Sequence, residues 1–174
     1  MSITYRLAQY ADLGAVESML RYYLQEQWTS GDPIVPSNRS VQVFQDLARS
    51  YINGSGFGVV VLAHEPGQEA PVGFVLAGEH PGATVFDTVL GKVAVIWIAW
   101  THPAHRKAGL GLGMLSFVRP HLVGMGFLTA TMTVRDGNEM GNAISLAFGA
   151  KPTERVYFYT LPEEPAHLGG NARG

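Results

Sequence analysis

The chain has 174 residues, 47% of them hydrophobic, a formal charge of −2 and no cysteine. That length can bury one core of its own, and the absence of thiols excludes disulfides, thiolate catalysis and cysteine–metal sites. No basic cluster exceeds Arg106-Lys107, which argues against nucleic acid as a partner.

The six histidines form no metal-ligand motif, because Pro103 stands between His102 and His105 and works against a shared helix face. The N-terminus, MSITYRLAQYADLG, has neither the cationic start nor the apolar core of a signal peptide. Gly91–Trp100 is about half the length a membrane span needs. A soluble cytoplasmic protein is therefore expected.

Ser2–Ala8 alternates Ile3, Tyr5 and Leu7, the pattern of a half-buried strand. Asp12 is placed to N-cap a helix running to about Gln27, with Leu13, Val16, Met19, Leu20 and Tyr23 on its buried side. Trp28–Ser40 is dense in Gly, Pro, Ser and Asn and reads as a loop. Ser40 caps a second helix carrying Val43, Phe44, Leu47 and Tyr51, which ends at Asn53-Gly54-Ser55-Gly56. Phe57–Ala63 and Val72–Ala77 read as a hairpin, and Thr84–Leu90 as a further strand segment.

Val93–Trp100 is rich in β-branched and aromatic residues, as a buried strand would be. A glycine-rich turn, Arg106-Lys107-Ala108-Gly109-Leu110-Gly111, leads from it into a helix with Leu112, Leu115, Phe117, Val118 and Leu122 on its apolar face. Phe127–Val134 is another strand, and a helix follows with Met140, Ile144, Leu146, Ala147 and Phe148, closed by Gly149. Val156–Leu161 is a last strand, and residues 162–174 read as a disordered tail. Residues 1–161 thus form a single α/β (α+β) domain.

A strand, a glycine turn and a helix N-terminus make an anion cradle, since free N–H groups and the helix dipole point the same way. An NTPase phosphate loop requires a glycine-lysine-serine/threonine ending, which Gly109–Gly113 lacks. A dinucleotide fingerprint requires glycine or alanine where Met114 stands. The stretch Pro103-Ala-His-Arg106-Lys-Ala-Gly109-Leu-Gly111 instead resembles the arginine/glutamine-x-x-glycine-x-glycine signature of the GCN5-related N-acetyltransferases. The order of elements resembles that family over nearly the whole chain.

The resemblance implies a mixed, mostly antiparallel sheet of six to seven strands with about four helices. It also implies acetyl-CoA as co-substrate, no metal, and transfer to a primary amine of a small molecule or peptide by direct attack in a ternary complex. Homodimers are frequent in the family. The backbone N–H groups over Lys107, Ala108, Gly109, Leu110, Gly111 and Leu112 would hold the pyrophosphate, with Arg106 beside them. The strand end Ile98-Ala99-Trp100 would pair with the pantetheine arm and polarise the thioester carbonyl. Asn138 matches a cofactor-contacting position and is equally a helix N-cap.

The signature strand carries no base. Glu79, His80, Asp87, His102 or water are left to deprotonate the amine. The family's tyrosine acid falls, by position, on Ser145, with Tyr157 and Tyr159 as alternatives. Acceptor residues would come from Tyr22, Tyr23, Glu26, Trp28, Asp32, Tyr157 and Tyr159. These gaps leave room for a second reading, a catalytically silent acyl-CoA-binding domain.

Overall fold

Two continuous apolar runs form the centre of the sheet. β2 (Gly58–His64) and β3 (Gly73–Glu79) are buried at every residue but their last, as strands covered on both faces must be. The computed structural model describes residues 3–29, 38–79, 92–106, 109–134 and 137–152. β1 (Thr4–Leu7), β2, β3, β4 (Lys92–Thr101) and β5 (Phe127–Met132) lie side by side in chain order. The first four are antiparallel, and β5 runs parallel to β4. Four helices accompany them among the described residues: α1 (Leu13–Thr29), α2 (Asn38–Ile52), α3 (Leu110–Gly124) and α4 (Glu139–Ala147).

Alternation along the central strands sorts the core into two layers. Val59, Val61 and Ala63 pack with Leu110, Met114, Leu115 and Val118 of α3. Val60 and Leu62 pack with Val16, Leu20 and Leu24 of α1 and Ala48 and Tyr51 of α2. Helices on both faces of one sheet explain why these strands read as uninterrupted apolar runs.

β4 breaks the alternation. Ala94 and Ile96 belong to the α3 layer, whereas Ile98 and Trp100 belong to the α1/α2 layer. The register against β3 pairs Leu76 with Ile98 and Ala77 with Ile96, leaving Trp97 as an extra residue. This β-bulge turns the second half of the strand over, so that residues of the same parity face opposite sides.

Most element boundaries lie within a few residues of the sequence reading. Asp12 differs in role. It is the last residue of a 3-10 turn, Tyr10–Asp12, that precedes α1. Its carboxylate reaches back to the Gln9 N–H (2.7 Å) and takes two bonds from the Arg6 guanidinium (2.6 and 2.8 Å), so it does not cap the helix ahead. The segments Thr84–Leu90 and Val156–Leu161, the tail, and the site candidates His80, Asp87, Asp32, Lys107, Ala108, Tyr157 and Tyr159 lie outside the described residues.

Candidate active site

The site begins where β4 and β5 part. Their parallel pairing runs from Lys92↔Phe127 to Ile96↔Met132 and stops there, while β4 continues to Thr101. The bulge at Trp97 is the next residue, so the strands diverge at the point where β4 turns over. Past it, β4 is paired with β3 on one edge only.

The hydrogen bonds at the far end show which groups face the open edge. The His102 N–H donates to Val72 O, on the β3 side (2.9 Å). Strand alternation then turns the N–H and C=O of Ala99 and Thr101 the other way, into the fork. The Thr101 carbonyl accepts from Arg106 Nε at 3.1 Å, as that orientation requires. Ala99 is exposed and carries only a methyl group, so nothing of its own covers its backbone. Ile98 and Trp100 are 2% and 5% exposed, because the bulge has turned them into the α1/α2 layer.

A 3-10 turn, Pro103–His105, leads off the strand. His105 Nδ1 lies 2.6 Å from Glu65 Oε1, which ties this turn to the β2–β3 hairpin. Gly109 then N-caps α3 with φ +74°, a left-handed conformation that L side chains rarely adopt. The Gly113 N–H bonds to Gly109 O (3.0 Å), the first intrahelical bond. The helix therefore has no carbonyl of its own for the N–H groups of Leu110, Gly111 and Leu112. Three donors at the positive end of a fifteen-residue helix form an anion cradle beside the open edge of β4.

Arg106 does not simply extend into solvent. Its Nη2 lies 2.6 Å from the Glu26 carboxylate of α1, and that carboxylate also accepts from Trp100 Nε1 at 2.9 Å. Burial pushes the Glu26 carboxyl up, but the bonds from Arg106 and Trp100 outweigh it and hold the group below its usual range. Glu26 is therefore ionised. It lines a pocket of about 420 Å³ together with Tyr22, Gln25, Trp100, His102 and Pro103. His102 Nδ1 accepts from the Ala104 N–H, and its ring stands edge-on to Trp100.

The candidate proton-transfer residues lie on either side of the bulge. Ser145, on α4, is 9% exposed. Its Oγ donates to Gly141 O (2.8 Å) and lies 2.9 Å from Met132 Sδ, the side chain of the last paired residue of β5. The hydroxyl therefore stands at the fork itself. Glu79 closes β3 opposite Ala94, and its carbonyl accepts from the buried Tyr51 hydroxyl (2.9 Å). Ala94 is three residues before Trp97, about 10 Å along the strand at ~3.3 Å per residue. Asn138 Oδ1 accepts from the Gly141 N–H (2.9 Å), which is the N-cap role, so its amide NH2 remains for any other contact.

Two features escaped the sequence reading. The bulge left no trace, because in a strand apolar on both faces an inserted residue leaves the pattern unchanged. The Glu26–Arg106 bridge left none, because its partners are eighty residues apart.

Among the described residues no three His, Asp or Glu side chains gather into a metal site. No helix there is long and apolar enough to cross a membrane.

No family model and no curated protein sequence matches the chain. Solved structures do match. A GCN5-related N-acetyltransferase from Ralstonia eutropha JMP134 superposes with TM-score 0.67 at 18% identity, covering 91% of this chain and 99% of its own. The ribosomal-protein-alanine N-acetyltransferase of Brucella melitensis biovar Abortus 2308 gives 0.64 at 15%, covering 92% and 100%. The aminoglycoside N-acetyltransferase AAC(6')-Iy, in complex with the bisubstrate analogue CoA-S-monomethyl-acetylneamine, gives 0.65 at 16%, covering 92% and 99%. The parallel fork, the glycine-capped helix beside it and the agreement over nine-tenths of the chain lead to one conclusion: this protein has the GCN5-related N-acetyltransferase fold.

Proposed function

We propose that this protein transfers the acetyl group of acetyl-CoA to a primary amine of a small molecule or peptide, by direct attack with both substrates bound. One observation carries the reading: the open edge of β4, starting at the bulge, leads directly to the N-terminal cradle of α3. An extended amide-bearing arm ending in a pyrophosphate suits that path. Acetyl-CoA supplies such an arm and, at its end, an activated thioester.

The residues present fit this co-substrate. The N–H groups of Leu110, Gly111 and Leu112 would take the pyrophosphate, with no Cβ at Gly111 to hold it off. Backbone groups of Ala99 and Thr101 would pair with the amides of the arm, and the small Ala99 side chain leaves room for them. A fork-facing N–H would polarise the thioester carbonyl as its oxygen gains charge. Ile98 and Trp100, also expected at the cofactor, would serve by fixing the strand from the α1/α2 layer. Asn138 would contribute its amide NH2, and Arg106 would act from the end of the open edge.

Ser145 supports leaving-thiolate protonation by its place at the fork. It would do so by rotating its O–H from the Gly141 carbonyl. Glu79 is too far along the sheet for direct contact with the reacting amine and would act through bridging water. Tyr157 remains an alternative acid in this reading. A cytoplasmic location and a homodimer belong to the same reading, to be checked by cell fractionation and light scattering.

A silent acyl-CoA-binding domain is the second reading. It is favoured by the buried, internally bonded Ser145 hydroxyl and by a strand with no carboxylate. Thiol release from acetyl-CoA with a panel of primary amines separates the two. Amine-dependent release supports the enzyme, and tight binding without turnover on any amine supports the silent domain.

A further inference from the structure

Glu26 stands between two sites. Its carboxylate faces Arg106, the first residue of the turn that leads to the α3 cradle, and also lines the pocket of Tyr22, Gln25, Trp100, His102 and Pro103. It is the sole carboxylate among these pocket residues, and it is ionised. Tyr22, 61% exposed, lines the same pocket, and Trp100 donates its Nε1–H to the carboxylate at 2.9 Å. A carboxylate beside an exposed tyrosine suits an alkylammonium group, which gains ion pairing and contact with the Tyr22 ring.

We propose that Glu26 is shared by the two ligands. It would recognise a cationic group of the amine acceptor, distinct from the reacting amine, in this pocket and, through Arg106, link that event to anion binding at the turn. This rests on the acetyl-CoA reading above and adds to it the class of acceptor and a coupling between sites. Glu26 holds Arg106 at 2.6 Å and neutralises it. A cation seated against Glu26 competes for the carboxylate, which frees Arg106 to act on the anion. Bound anion draws on Arg106 in turn and leaves Glu26 more fully charged for the cation. The coupling is reciprocal, so each ligand tightens the other by the same factor.

The test uses coenzyme A in place of acetyl-CoA, so that no turnover occurs, with the diamine putrescine and the neutral diol of the same length as pocket probes. Calorimetry at low ionic strength measures CoA affinity with and without each. Putrescine should tighten CoA binding on the order of five-fold or more, the diol should leave it unchanged, and Glu26→Gln should abolish the putrescine effect. Equal tightening by the diol, equal tightening in Glu26→Gln, or no putrescine effect on a parent that binds CoA would overturn the coupling alone. A parent that binds no CoA would overturn the acetyl-CoA reading and the coupling with it. Should Glu26→Gln fail to fold, Tyr22→Ala at its exposed position decides the pocket assignment. It should raise the putrescine concentration needed several-fold, and an unchanged requirement would refute the assignment.

Discussion

Gly111→Glu separates anion binding from folding. Gly111 lies in the first turn of α3, and a Cβ there would meet Ile144 Cδ1 at 3.0 Å, a terminal methyl that can give by a few tenths of an ångström. An acidic residue in a helix's first turn is itself favourable by about 0.3–1 kcal/mol. The fold should therefore persist, with a melting temperature near the parent's.

Coenzyme A meets a different situation. A carboxylate held about 5 Å from one pyrophosphate charge costs about 3 kcal/mol at an effective dielectric near 20, and solvent ions reduce this to about 2 kcal/mol. At 1.4 kcal/mol per decade, CoA affinity should fall roughly 30- to 150-fold. Gly111→Ala adds the Cβ without the charge and should lose only a small part of that. Calorimetry for affinity and thermal unfolding for the fold give the readout. A folded Gly111→Glu protein whose CoA affinity stays within about three-fold of the parent, a loss under 1 kcal/mol, would remove the α3 N-terminus from the cofactor site.

Two further outcomes follow from named contacts. Ser145→Ala should lower turnover by at least about ten-fold, toward the lower end of proton-transfer effects, while leaving the KM for acetyl-CoA near the parent's; equal rates would take Ser145 out of the mechanism. The Arg6 guanidinium, with the Gln9 N–H, holds the Asp12 carboxyl down from 3.8 to about 2. A carboxyl depressed on folding stabilises above its unfolded pKa and loses that contribution as pH falls through the folded one. Because Arg6 is partly exposed, the pair should be worth on the order of 1 kcal/mol. Asp12→Asn should flatten this part of the stability curve between pH 3.8 and about 2. Parallel losses in variant and parent over that window would show that the pair contributes nothing.

The order of strands was legible because it follows from local rules. Phe57–Ala63 and Val72–Ala77 are joined by a short polar turn, which makes them antiparallel neighbours. The phosphate cradle was legible for a similar reason, since glycine at the cap of an apolar helix marks a left-handed turn and a helix start within a few residues. Trp97 was hidden by the uniformity of its surroundings. In a strand that is apolar on both faces, the pattern carries no parity, so an inserted residue leaves hydrophobicity unchanged and only packing reveals it.

Distance hid the rest. Nothing near Glu26 in the chain signals Arg106, and Arg106 read as a cation beside phosphate because its neighbours in sequence are the cradle. Asp12 had the right residue type for a cap, but Arg6 and the Gln9 N–H competed for its oxygens and turned it back toward the strand. Ser145 illustrates the opposite case. Counting positions placed it as the acid, and its hydroxyl does stand at the fork, yet neither burial nor its bond to Gly141 was visible in the pattern.

The central claim is that the fork and cradle bring acetyl-CoA to an amine and that transfer follows. Thiol release from acetyl-CoA, measured over a panel of primary amines with the product mass determined, tests it most directly. The account predicts release that depends on the amine and a product heavier by one acetyl group. Coenzyme A binding with no release on any amine, or no binding at all, would contradict it.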